Sequence, residues 1–194
     1  MIEKDNRIYA RVSEILDPLF EYRHIDPQIL SRKAVIGSAV HEAIAYAIQD
    51  EFPILEGSTA GYFSSFVEWT KRLNPIFKAS EQRYFCDKAR LTGQIDALCI
   101  IPGSDLPVLV DFKTSAQESK KVWPLQAHLY DYLLERNGIK VSRHFLFVRL
   151  HKEGKLPAVH NYAFSPTVRQ YCLEAIDEFW KEKEKAREKS GSVS

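Results

Sequence analysis

The chain has 194 residues, of which 45% are hydrophobic and 12% aromatic, a composition that excludes an intrinsically disordered protein. Its 27 basic and 26 acidic residues leave a formal net charge of +1, so bulk charge gives no argument for binding nucleic acid. No apolar run is long enough to span a membrane and no signal peptide is evident, so we expect a cytoplasmic protein without membrane association.

The length fits a single domain, residues 1–194, and the chain shows no internal repeat. Hydrophobic residues recur at helical spacing over residues 11–20, with Pro18 as an interruption, so residues 1–33 are predicted to form a helical arm. Cys86, Cys99 and Cys172 are far apart in the sequence and never form a C-x-x-C pair. We therefore predict that all three are buried free thiols.

Residues 34–50 are predicted to form a helix with an apolar row of isoleucine and valine side chains. His41 lies on this helix with Gly37 one turn before it and Ala45 one turn after it, so another backbone can approach His41 closely. A second helix is predicted over residues 62–73. Its aromatic side chains are interpreted as core residues, with base stacking as the alternative.

Five strands are predicted, over residues 80–87, 91–101, 108–114, 142–150 and 156–164. The first three show period-two patterns, the fourth is a run of apolar residues, and the fifth follows the turn at Gly154. Turn residues at 102–105 join the second and third strands into an antiparallel hairpin. If Gly103 and Ser104 are the two loop residues, the numbers of paired residues sum to about 207. Asp96 then lies opposite Asp111, and Lys113 lies two residues further along the face of Asp111.

Opposed carboxylates on neighbouring strands repel each other, so this hairpin needs a compensating charge. A divalent cation is the usual reason for such a pair, because hard cations such as Mg²⁺ bind carboxylate oxygens. In this arrangement the ammonium group of Lys113 would lie beside the metal and its bound water.

The remaining chain supplies two helices. The first is predicted after Pro124 and places Gln126 and Tyr130 on one face, four residues apart. The second is predicted over residues 167–187, with residues 181–190 as a solvated helical end and residues 191–194 as a disordered tail. The expected fold class is α/β, with a mixed central sheet of about five strands flanked by helices on both faces.

Four segments in this order, residues 37–41, 93–96, 111–115 and 126–130, resemble the motifs of the PD-(D/E)xK nuclease superfamily, in its RecB-like, phage-type exonuclease branch. The resemblance implies a restriction-endonuclease-like core and Mg²⁺-dependent hydrolysis of DNA, with Mn²⁺ as a substitute. It implies that His41, Asp96 and Asp111 hold the metal and that Lys113 orients the attacking water. Gln126 would hold the lysine or a phosphate, and Tyr130 would donate to a phosphate.

The same resemblance makes Glu81 a candidate near the site, although a charge on an edge strand is the alternative. Lys120 and Lys121 are expected to contact phosphates at the start of a helix. The basic side chains of the N-terminal arm are either a solvated face or part of the DNA groove. Three cysteines are too few for the four-cysteine iron–sulfur cluster of some RecB-like relatives, so no such cluster is expected.

The resemblance points to a role in DNA recombination, DNA repair or phage replication. A single-strand annealing protein or a helicase is then a possible partner beside DNA itself. Two alternatives stay open on the sequence alone: an endonuclease of the same fold, and a nucleic-acid-binding protein without catalysis. Polarity, strand preference and oligomeric state leave no signal in the sequence.

Overall fold

A computed structural model describes residues 1–19 and 26–191. Within these residues seven strands form one sheet: β1 Ile2–Lys4, β2 Arg7–Arg11, β3 Ile76–Cys86, β4 Leu91–Ile100, β5 Val108–Lys113, β6 His144–Arg149 and β7 Ala158–Ala163. The helices are α1 Val12–Leu16, α2 Pro27–Ile48, α3 Thr59–Leu73, α4 Val122–Arg136 and α5 Pro166–Gly191, with a short 3₁₀ helix at Asp17–Leu19.

The N-terminal arm corrects the prediction of a helical segment over residues 1–33. Residues 2–11 form the antiparallel pair β1–β2 instead, and β2 continues the sheet by pairing in parallel with β4. Tyr9 and Ala10 are buried there. The short helix predicted from residue 11 onward is confirmed as α1 and the 3₁₀ helix at Asp17–Leu19. α2 begins at Pro27. Asp26 caps this helix, because its side chain accepts a hydrogen bond from the backbone N–H of Gln28. Phe20, the predicted end of the first helix, lies outside the described residues.

The five predicted strands are confirmed as β3 to β7, and helices cover both faces of the sheet as predicted. β4 is the central strand. β3 pairs with β4 in the antiparallel sense along one edge. β2 and β5 both pair with the opposite edge of β4, β2 near the start of the strand and β5 near its end. α1, α4 and α5 pack on one face of the sheet, and α2 and α3 pack on the opposite face around Phe66, Trp69 and Phe112.

The predicted register of the β4–β5 hairpin is confirmed over residues 97–99 of β4, but the predicted cross-strand pair of Asp96 and Asp111 does not form. Ala97 pairs with Val110 and Cys99 with Val108, so paired numbers sum to 207. Pairing stops at Ala97, however, while β5 continues alongside β6 as far as Lys113. On the same edge of β4, pairing with β2 reaches no further than Thr92. The edge of β4 is therefore open between residues 92 and 97, around Asp96.

The side chains of β4 also change face at Asp96, so the uniform alternation predicted over residues 91–101 is wrong at this point. A Cβ atom at Gly93 would lie 2.7 Å from the Tyr130 ring of α4, and Ile95 packs in the same core as that helix. Ala97, two residues later, packs in the core of α2 and α3. Glu81 lies opposite Asp96 on β3 with a left-handed φ of 50°. Such irregularities re-aim side chains, and they are common beside active sites.

The other local predictions have clear outcomes. Cys86, Cys99 and Cys172 are buried free thiols, as predicted. Residues 181–189 form an exposed helical end, but α5 continues to Gly191, where a disordered tail was predicted; residues 192–194 lie outside the described part of the chain. No helix within residues 1–19 and 26–191 has the length and apolar content needed to cross a membrane.

Candidate functional site

Three side chains with metal-ligating atoms converge at the open edge of β4. His41 comes from α2, Glu81 from β3 and Asp96 from β4. His41 Nδ1 lies 3.3 Å from Asp96 Oδ1 and 3.5 Å from Glu81 Oε1. Gly37, one turn before His41, faces Thr114 just after β5: a Cβ atom at Gly37 would lie 3.5 Å from the Thr114 hydroxyl oxygen, an ordinary van der Waals contact.

The Asp96 carboxylate has two distinct partners. Its Oδ2 accepts a hydrogen bond of 2.7 Å from the backbone N–H of Phe112, and its Oδ1 faces His41. The side chain of Asp96 thus takes the place of a ladder hydrogen bond at the point where β4 and β5 separate. Its orientation is consequently fixed by the backbone of β5.

A second cluster lies directly behind the first, between β5 and α4. Lys113 Nζ is 2.6 Å from Asp111 Oδ2 and donates to Gln126 Oε1 at 3.0 Å. The amide nitrogen of Gln126 donates to Asp111 Oδ1 at 3.1 Å and to the Tyr130 hydroxyl at 3.3 Å. Gln126 therefore holds the lysine, one of the two roles predicted for it. Tyr130 is 8% exposed, and the predicted donation from its hydroxyl to a phosphate stays a prediction.

The pKa values of the two aspartates are shifted in opposite directions. Burial raises the pKa of Asp111, and the Asp96 charge raises it further to about 7, against the opposing effect of Lys113. For Asp96, burial alone would raise the pKa, but the charge and hydrogen bond of His41, with Lys113 and the Phe112 N–H, hold it below its usual value. Asp96 therefore ionises at lower pH than Asp111.

His41 compensates the negative charge of the neighbouring carboxylates. Burial lowers the pKa of His41, but Asp96 and a hydrogen bond to Glu81 outweigh burial and raise that pKa well above its usual value. The protonated imidazole therefore offsets the negative charge on Asp96 and Glu81. Burial also raises the pKa of Tyr130, and the nearby Asp111 charge raises it further, so this hydroxyl stays neutral.

Glu81, given as a site candidate with an edge-strand charge as the alternative, lies in the cluster. Gln94 was not predicted as a site residue, yet its amide nitrogen donates to Glu81 Oε2. The other end of the same amide accepts a hydrogen bond of 2.6 Å from Arg83, its cross-strand partner. The signal for Gln94 was present, because it precedes Asp96 by two residues.

The predicted ligand Asp111 is not one of the three converging donors, because its Oδ2 is paired with Lys113. Lys120 and Lys121 are both exposed and precede the first turn of α4, as predicted from the sequence. Neither lysine is brought into the clusters around Asp96 and Asp111. Their predicted contact with phosphates stays a prediction.

The donor set of His41, Glu81 and Asp96 fits a divalent cation. One donor atom of each residue lies within 4.8 Å of the others. Neighbouring ligands of an octahedral Mg²⁺ ion are about 3 Å apart, so the two His41 separations require only a small adjustment. Two carboxylates suit Mg²⁺ or Mn²⁺, and an imidazole is compatible with a transition metal such as Mn²⁺ once it loses its proton.

Comparison with known proteins supports the fold described above. A crystal structure of an alkaline exonuclease (LHK-Exo) from Laribacter hongkongensis aligns with a TM-score of 0.55 at 11% identity, covering 96% of this chain and 95% of that one. The structure of LHK-Exo in complex with dAMP aligns with a TM-score of 0.53 at 11% identity, again covering 96% and 95%. At this identity the likeness concerns the fold alone. No curated protein gives a significant match.

The sequence profile of the PD-(D/E)XK nuclease superfamily matches residues 54–190. This segment includes Glu81, Asp96, Asp111 and Lys113, and thus most of the side chains of the two clusters. The match extends over more than half of the sequence, and the chain belongs to the PD-(D/E)XK nuclease superfamily.

Proposed function

We propose that this protein is a Mg²⁺-dependent deoxyribonuclease that hydrolyses phosphodiester bonds, with Mn²⁺ as a substitute metal. One observation carries the proposal. A His–Glu–Asp donor set, His41, Glu81 and Asp96, lies against an aspartate–lysine pair, Asp111 and Lys113, at the open edge of one strand. This arrangement combines a metal site with a fixed positive charge in one small region.

The side chains of the two clusters have separate roles in the proposed hydrolysis. A divalent cation held by His41, Glu81 and Asp96 would lower the pKa of a bound water and offset negative charge on the scissile phosphate. Lys113 orients the attacking water and stabilises the charge that develops in the transition state. Gln126 keeps the lysine in place through a hydrogen bond of 3.0 Å. Asp111 holds Lys113 by its charge, with 2.6 Å between Asp111 Oδ2 and Lys113 Nζ.

Within the nuclease class we favour an exonuclease acting in DNA recombination, DNA repair or phage replication. The four motifs resemble the RecB-like, phage-type exonuclease branch, and LHK-Exo, which aligns along almost its whole length, is an exonuclease that has been crystallised with dAMP. DNA is the proposed substrate in the cytoplasm. A single-strand annealing protein or a helicase is the proposed partner, in keeping with that branch.

The test uses end-labelled linear DNA and covalently closed circular DNA, each incubated with Mg²⁺, Mn²⁺ or EDTA. We expect linear DNA to be degraded to short products in either metal, with closed circles spared and no cleavage in EDTA. Efficient cutting of closed circles would identify an endonuclease instead. Binding without cleavage in either metal would identify the non-catalytic alternative.

A further inference from the structure

A buried aromatic ring lies beside the charged pair of Asp111 and Lys113. β6 pairs in parallel with β5, and Phe147 on β6 is the partner of Asp111 in this register. The Phe147 side chain is fully buried in the core that includes α4. Lys113 Nζ lies over this ring, 5.4 Å from the ring centroid. A cation within about 6 Å of a centroid is attracted by the negative face of the ring, so Phe147 stabilises the ammonium group in this position.

The ammonium group of Lys113 has contacts of three kinds. Asp111 gives an anion 2.6 Å away, and Gln126 gives a neutral acceptor at 3.0 Å. Because an ammonium group has three N–H donors, these two contacts leave one donor for a water molecule or a phosphate. The ring attracts the charge of the whole group rather than one N–H, and only 21% of the Lys113 side chain is exposed to screening by solvent. Phe147 therefore holds the ammonium group without occupying the donor that the reaction needs.

The Phe147 ring is itself fixed by two neighbouring rings. Trp123 of α4 stacks on it at an interplanar angle of 15° with centroids 5.4 Å apart, and Tyr162 of β7 meets it edge-on at 5.5 Å. The Tyr162 hydroxyl donates a 2.6 Å hydrogen bond to Glu118, in the segment that joins β5 to α4. Trp123 is one turn before Gln126 on the same helix. The helix that supplies the amide partner of the lysine thus also orients the ring beneath the lysine.

We propose that Phe147 is a positioning residue for Lys113, whose ammonium group it holds in place for the attacking water. The proposal rests on the proposed role of Lys113 in DNA hydrolysis and deepens it. An aliphatic side chain at position 147 would fill the same part of the core but would not attract the charge. The electron density of the ring face, and not only its volume, therefore contributes to catalysis.

The first test weakens the ring face while nearly preserving the shape of the side chain. Phe147 is replaced by 4-fluoro-, 3,5-difluoro- and 3,4,5-trifluorophenylalanine, because fluorine withdraws electron density from the face of the ring. With linear DNA and Mg²⁺, kcat should fall with each added fluorine, by about 2- to 30-fold in total, because the cation–π energy is about 0.5–2 kcal/mol. KM should change little, because Lys113 acts on the attacking water.

The same fluorinated series at Phe145 is the matched control. Phe145 is fully buried two residues earlier on β6, and its ring contacts His128 edge-on at 5.5 Å. We expect kcat to stay constant across the Phe145 series. A constant kcat across the Phe147 series, or an equal fall in both series, would show that the Phe147 ring only fills space, although DNA hydrolysis would stand.

The second test needs no turnover. In NMR spectra of protein labelled with ¹³C at the lysine ε carbons, the ring current of Phe147 should shift the ε protons of Lys113 upfield of those of the other lysines. The signal is assigned by its loss in Lys113→Arg. Phe147→Leu should remove the shift and Phe145→Leu should keep it. An unshifted Lys113 signal in the wild type would refute the contact, whereas absence of cleavage by the wild type in both Mg²⁺ and Mn²⁺ would refute the proposed function.

Discussion

The backbone N–H of Phe112 donates a 2.7 Å hydrogen bond to the carboxylate of Asp96 across the point where β4 and β5 separate. The Phe112 ring is fully buried and packs edge-on against Phe66 and Trp69, with ring centroids 5.3 and 5.6 Å apart. Core packing under α3 therefore fixes the N–H that orients Asp96. The same strand carries Asp111 and Lys113, so the metal site and the charged pair are positioned as one unit.

The first prediction concerns catalysis by the charged pair. Replacing Asp111 or Lys113 by Ala should abolish cleavage, with a loss on the order of 10²–10³-fold or more. Lys113→Ala removes the positive charge that stabilises the transition state, and Asp111→Ala removes the carboxylate that holds Lys113 in place. Lys113→Ala also leaves Gln126 without its lysine partner. Circular dichroism should show a folded protein in each case. Full activity of either purified variant would contradict the assignment of the pair.

The second prediction concerns stability without metal. Burial and the Asp96 charge raise the pKa of Asp111 to about 7, far above about 3.9 in an unfolded chain. The stability contributed by Asp111 is therefore present at low pH and is lost as pH rises from about 4 to about 7. In EDTA at pH 8 we expect Asp111→Asn to melt at a higher temperature than the wild type. A lower melting temperature would show that the ion pair with Lys113 outweighs burial.

The metal response of the same proteins is the third prediction. Metal binds the folded site and not the unfolded chain, so Mg²⁺ or Mn²⁺ should raise the melting temperature of the wild type. We expect Glu81→Gln to lose most of this response, because Glu81 is one of the three converging donors. Asp111→Asn should lose less of it, although the sequence made Asp111 the ligand. A wild type that melts at the same temperature in metal and in EDTA would refute the metal site.

Much of this site was predictable, because the length of a short hairpin loop determines which residues of the two strands pair. The turn at residues 102–105 fixed the pairing sum of 207, and the Gln126–Tyr130 spacing placed both side chains on one helix face. Glu81 was only a candidate, with an edge-strand charge as the alternative, because the period-two pattern does not show where β4 changes face. At that point Glu81 on β3 has a left-handed φ, which neither glycine nor asparagine signals in the sequence.

The N-terminal strands were missed for a different reason. β1 and β2 are short, and β2 joins β4 through only the pairs of Ala10 and Arg11. A strand of this length has too few residues to show a period of two. It is stabilised by contacts with residues some 80 positions later, such as the 2.8 Å hydrogen bond from the Ala10 N–H to the carbonyl of Arg90. Only the folded sheet reveals that partner.

The fourth prediction concerns Lys120 and Lys121 at the start of α4. If both contact phosphates, Lys120→Ala/Lys121→Ala should bind DNA more weakly and reduce the slope of log K against log salt by about 2. Fluorescence anisotropy in Ca²⁺ at several salt concentrations measures the slope. Lys181→Ala/Lys185→Ala, on the exposed end of α5, is the charge-matched control and should leave the slope unchanged. An equal slope in both double variants would show that Lys120 and Lys121 do not contact DNA phosphates.

The last prediction concerns a histidine away from the site, His128 on α4, which is 1% exposed. Its Nδ1 lies 2.6 Å from the carbonyl of Pro124, and its Nε2 accepts a hydrogen bond of 2.8 Å from the backbone N–H of Ser165. A neutral ring protonated at Nδ1 makes both bonds, whereas a protonated Nε2 would lose the second. Burial lowers the pKa of His128, and the Arg169 charge lowers it further, against the opposing effect of the Pro124 carbonyl.

Because the folded pKa of His128 lies below the unfolded value of about 6.5, the unfolded chain binds the proton more readily. The stability that neutral His128 contributes is therefore complete above about pH 6.5 and is lost as pH falls toward the folded pKa, by at most about 1.4 kcal/mol per pH unit. His128→Gln should be less stable than the wild type at pH 8, and the difference should narrow between pH 6.5 and pH 5. Urea unfolding of both proteins across this range measures it. A difference that stays constant or widens toward pH 5 would show that His128 is not held neutral between α4 and Ser165.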